Sequence, residues 1–141
     1  MATTATVTLS SDIFSGFSGY SKTMTMYKDG SLVDIDSSTG FSKRKLASTT
    51  KVDLITMANE LVEPLDNTGA KVYIKHTGNG KGVFDKSVGV TVLINSVEIG
   101  VLYGGDWLLM PVAVVDAEDI EVKPGSDATV VLEYVMFYEE G

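Results

Sequence analysis

The chain has 141 residues, 44% hydrophobic and 21% charged, which suits one domain with a real core and is too little for two large ones. Its 11 Lys+Arg against 19 Asp+Glu give a formal net charge of −8, a surface that repels phosphate backbones, so no nucleic-acid partner is expected. The absence of cysteine and the single histidine, His76, exclude disulfides, thiolate nucleophiles, Cys-based zinc sites and multi-His metal sites, and no cofactor is expected.

Residues 1–11 lack the basic start and apolar core of a secretory leader. Residues 1–50 are rich in Ser, Thr and Gly and carry a balance of +1; residues 51–141 are apolar and carry −9. The expected organisation is therefore an N-terminal arm or set of additional strands over 1–50, followed by a β-sandwich domain over 51–141. Within the first part, residues 3–9 and 20–27 alternate and read as strands. Between them Gly16, Phe17, Ser18 and Gly19 approach a nucleophile elbow, but the second glycine falls one place early. Asp34, Asp36 and the residues up to Gly40 faintly resemble a calcium loop without its further ligands. Lys43, Arg44 and Lys45 form the only basic cluster, suited to docking on an acidic protein neighbour.

From Lys51 onward the strand signals are frequent. Residues 54–61 hold one weak helical spacing, but 51–57 alternate and Pro64 stops a helix, so a short strand and a turn are expected. Residues 70–77 place Val72, Ile74 and His76 on one face and Lys71, Tyr73 and Lys75 on the other. The glycine-rich stretch Gly78 to Gly82 lacks the ending of a phosphate-binding loop and reads as a connection. Residues 88–94 and 97–103 are β-branched runs joined by Asn95-Ser96, a hairpin signature. Gly104-Gly105 marks a bend before 106–110. The apolar run 107–115 is far shorter than the roughly 18 residues of a membrane span and contains Pro111, so no membrane partner is expected. Asp116, Glu118, Asp119 and Glu121 form an acidic group that reads as a solvated rim. Residues 119–123 alternate up to Pro124-Gly125, and 128–138 are apolar on both faces, as in a central strand. About seven strands with regular turns predict an all-β, antiparallel sandwich of jelly-roll type. His76, with no recognisable partner, is expected to be a strand-end residue bonded to the backbone, and no catalytic residue is assigned.

The order Val72 to Gly78, Val97 to Gly100, Leu102, Gly105 to Trp107, Met110-Pro111, Asp119 to Val122 and Leu132 to Tyr134 resembles small β-sandwich virion proteins of tailed bacteriophages. The resemblance covers about residues 71–138. It departs from the family pattern at His76, where Asn is usual, and at Val112, where an aromatic residue is frequent. It implies a non-enzymatic structural protein located in the virion, most simply a capsid decoration or cement subunit. The implied partners are capsid or other virion proteins and further copies of the chain, with trimers as one form. A second reading is a carbohydrate-binding or host-recognition domain on a tail or fibre, with Tyr103, Asp106 and Trp107 as the contact.

Overall fold

The structure, a computed structural model, describes residues 2–13, 19–57, 68–78, 84–114 and 119–139. Among the described residues the strands are β1 (Thr4–Leu9), β2 (Tyr20–Thr25), β3 (Ser37–Ser38), β4 (Ser42–Leu46), β5 (Val52–Ile55), β6 (Thr68–His76), β7 (Val90–Ile94), β8 (Val97–Leu102), β9 (Trp107–Val114), β10 (Ile120–Pro124) and β11 (Val130–Tyr138). Every pairing is antiparallel.

The organising point is the Asn95-Ser96 turn, where both residues adopt positive φ (48° and 65°) as a two-residue hairpin of right-handed strands requires. From this turn the chain folds back on itself in nested layers: β7 pairs with β8, β6 with β9, β5 with β10 and β4 with β11. Rolling that long ribbon adds two further pairings, β10 with β7 and β11 with β6. The result is a four-stranded sheet, β5-β10-β7-β8, facing a five-stranded one in which β4 and β3 share the outer side of β11 and β6 and β9 follow. Eight strands connected this way form a jelly roll. β4, in the Ser/Thr-rich third of the chain, is one of the eight, and β3 extends the same edge.

The two sheets enclose one core because each strand alternates. Val72 and Ile74 from β6, Leu132 and Met136 from β11, Val90 and Val92 from β7, and Ile120 and Val122 from β10 are buried in a single cluster. Pro111 is accommodated inside β9 because, among the described residues, β9 lies at the edge of its sheet. The expected strand at 51–57 is present as β5; residues 58–61 of the alternative helical spacing lie outside the described residues.

β1 and β2 form a separate two-stranded hairpin. Thr4, Thr6 and Thr8 face Thr25, Thr23 and Ser21 across it, and the Thr6–Thr23 and Thr8–Ser21 hydroxyls are bonded at 2.7 and 3.2 Å. The chain then returns to the five-stranded sheet. Met26 and Ile35 are buried, Met26 N–H donates to the Thr3 carbonyl and Ile35 N–H to the Met26 carbonyl. Lys71 Nζ, on the outer face of β6, donates to the Tyr27 carbonyl at 3.2 Å and holds this return in place.

Candidate functional site

Strand alternation divides the basic cluster on β4. Arg44 points inward and donates from Nη1 to the Asp53 carbonyl at 2.8 Å, bridging the edges of the two sheets. Lys43 and Lys45 project outward, and Lys43 Nζ lies 3.6 Å from Glu133 Oε1 on β11. The three residues therefore do not form one docking patch.

The trio at the bend is divided as well. Asp106 closes the bend, its Oδ2 accepting from the Tyr103 N–H at 3.0 Å and its own N–H donating to the Tyr103 carbonyl at 2.8 Å. Gly105 supplies the positive φ (94°) that the bend requires. Tyr103 lies over Gly89 on the outside of the four-stranded sheet. Trp107 is on the outside of the other sheet, with its ring centroid 6.4 Å from that of Tyr73.

His76 holds this bend to the sandwich. It is 1% exposed, and its Nδ1 accepts from the Gly78 N–H at 3.0 Å, so the proton sits on Nε2, which donates to the Val88 carbonyl at 2.9 Å. Its main chain adds bonds to Asp106 and Gly105. This is the backbone-bonded strand-end histidine that the sequence suggests.

Asp119 and Glu121 of the acidic group are engaged in the fold. Asp119 Oδ1 accepts from the Met57 N–H at 2.9 Å. Glu121, almost fully buried, accepts from the Ser96 N–H at 2.6 Å and pairs with Lys51 at 2.8 Å, and Lys51 also reaches the Ser96 hydroxyl. The bond from Lys51 is the main cause that holds the Glu121 carboxyl below its ordinary value, against the opposing effect of burial. Asp36 of the calcium-like stretch pairs with Lys28 at 2.5 Å. Asp116, Glu118, Gly16 to Ser18 and residues 79–82 lie outside the described residues. Among the described residues no three acidic or histidine side chains converge as a metal site.

What the fold does assemble is a surface on the outside of the five-stranded sheet. Phe41, Tyr73 and Trp107 form a row, with successive ring centroids 6.2 and 6.4 Å apart. Phe41 is 61% and Trp107 51% exposed. β1 of the hairpin stands beside the row, and the cleft between them, about 330 Å³, is lined by Ala5, Thr6 and Val7 on one side and by Tyr73, Lys75, Trp107 and Leu109 on the other. Further out the hairpin leaves Leu9 55%, Met24 53% and Tyr20 42% exposed. Burial and the charge of Glu133 keep the Tyr73 phenol above its ordinary pKa, so it remains a donor.

Tyr73 is legible from the sequence as an outward-facing residue of its strand. Its approach to Trp107 is not, because that depends on β6 lying beside β9, where Tyr73 faces Leu109 and Lys75 faces Trp107. A comparison with models of known protein families matched none, and a search of curated proteins found no relative.

Proposed function

We propose that this protein is a structural subunit of a virus particle, a capsid decoration or cement protein that grips neighbouring virion proteins. The observation that carries the reading is the hairpin: Leu9, Tyr20 and Met24 present apolar surface that the chain's own sandwich leaves uncovered. Isolated two-stranded hairpins are marginal in water, so one tethered at its base gains from a partner that covers it. The resemblance of residues 71–138 to small phage virion proteins supports the same reading.

A clamp needs a second grip, and the open edge of the four-stranded sheet offers one. Natural sheets guard their edges with charge, proline or cover. β4 carries Lys43 and Lys45, β9 carries Pro111, and an edge carbonyl of β5 is taken by Arg44. β8 has Glu98 as its sole charge and exposes Val97, Ile99 and Val101, an edge suited to further copies of the chain. Two modest contacts on one molecule then act with the strength of avidity.

The test is the variant Leu9→Ser/Tyr20→Ser/Met24→Ser, compared with the parent by co-sedimentation with capsids. Attachment should fall by at least about tenfold, the equivalent of roughly 1.4 kcal/mol. Equal attachment by a normally folded variant would sink the reading.

A further inference from the structure

We propose that the row Phe41, Tyr73 and Trp107 is a binding platform for an acidic glycan, a function separate from the clamp. The rings come from three places in the chain, and a sheet sets their spacing, with Tyr73 and Trp107 on the paired strands β6 and β9 and Phe41 just ahead of β4. Rings gathered to complete a core are buried, whereas the two ends of this row are more than half exposed. Centroids 6.2 and 6.4 Å apart with planes tilted by 32° and 36° make a shallow, slightly twisted surface. A pyranose ring has an apolar C–H face that packs on such a surface and a rim of hydroxyls that requires polar neighbours.

Those neighbours are present on the same face. Lys75 is the cross-strand partner of Trp107 and lines the cleft beside it. Tyr73 adds a phenolic donor between the two outer rings. Glu133, opposite Lys75 on β11, adds an acceptor. A purely apolar partner would leave these groups desolvated and unpaired, which is costly.

The charge of the face specifies the sugar further. Lys43, Lys45, Lys71 and Lys75 project from this face against the carboxylates of Glu133 and Asp29, of which Asp29 is paired with Lys71, and this leaves a local excess of positive charge on a chain whose total is −8. Bases of single-stranded nucleic acid also stack on rings, but the phosphates between them meet the strongly negative remainder of the protein. An oligosaccharide of uronic acids brings carboxylates only at the rim of each ring, within reach of the lysines.

Trp107 is the only tryptophan, so its fluorescence reports the platform directly. The full chain is titrated with a galacturonic acid hexasaccharide, with maltohexaose and a single-stranded oligonucleotide as comparisons. The expected result is saturable change in Trp107 emission with the acidic sugar and binding at least about tenfold weaker for maltohexaose. By calorimetry, Tyr73→Ala and Trp107→Ala should each weaken binding by about tenfold. Lys75→Gln, an outward-facing change that leaves the core intact, should weaken the acidic sugar and reduce its salt dependence. Tyr103→Ala, on the other sheet, should bind as the parent does. No change in Trp107 emission with the acidic sugar, equal binding of maltohexaose, tighter binding of the oligonucleotide, or full binding by Tyr73→Ala would each overturn the proposal. None of these outcomes depends on attachment to capsids.

Discussion

The sandwich and the N-terminal hairpin are built from the same alternating pattern, yet one buries its apolar face and the other displays it. In β6, Val72 and Ile74 alternate with Lys71, Tyr73 and Lys75 and disappear into the core. In β1, Ala5, Val7 and Leu9 alternate with Thr4, Thr6 and Thr8, but only Ala5 and Val7 are half-covered, by the sheet beneath. Period-two alternation fixes which residues share a face; what covers that face is decided by topology. In the sandwich the cover is the opposing sheet, brought there by pairings as distant as Leu46 with Val130. The hairpin closes locally, and the sheet beneath it covers Ala5 and Val7 in part but leaves Leu9 exposed.

The comparison breaks most easily at the core. Ile74→Ala removes a fully buried side chain from a central strand and should cost about 2–5 kcal/mol in urea unfolding, with the hairpin equally affected because it lies on that scaffold. A cost below about 1 kcal/mol would mean that the two sheets are not closely packed.

His76→Leu keeps much of the volume but strands the Gly78 amide and the Val88 carbonyl, at about 1–3 kcal/mol for each group left unpaired. It should also shift Trp107 emission, since His76 holds the bend that leads into β9. Loss of stability without any spectral change would separate the histidine from the platform.

Glu121 gives the comparison a pH axis. Its folded carboxyl is held below the ordinary value, so the unfolded chain takes up that proton first as pH falls. The contribution is complete above the ordinary carboxylate range and is lost as pH falls through the lowered folded value. Glu121→Gln should flatten this acid limb of a stability–pH curve while leaving the hairpin unaltered. An unchanged acid limb would show that the Lys51 pairing is not maintained in solution.

At the small end, Thr6→Ala removes one cross-strand hydroxyl pair and should change global stability by less than about 0.5 kcal/mol while raising local opening of β1 and β2. A large drop in global stability would mean that the hairpin is an integral part of the core.

How much of this was legible beforehand follows from the same contrast. The strands from Lys51 onward, the Asn95-Ser96 hairpin and the inward faces of β6 and β10 rest on local signals, and the sequence states them. In sequence β4 reads as a basic cluster because Lys43 and Lys45 dominate it; its place in the sandwich comes from β11, more than eighty residues away. The candidate surface was legible only in part. Trp107 could be singled out, but grouping it with Tyr103 and Asp106 followed chain proximity, whereas the bend at Gly104-Gly105 sends Tyr103 and Trp107 to opposite sheets. Tyr73 and Phe41 reach Trp107 through pairings that no local pattern encodes.

The division between a self-sufficient sandwich and a hairpin that lacks a cover is tested most directly by amide hydrogen exchange on the isolated protein. Amides in β6 and β11 should exchange only through global unfolding, and those paired between β1 and β2 should exchange by local opening, orders of magnitude faster. Equal protection in the two regions would contradict the account, because the hairpin would then already be covered by its own chain.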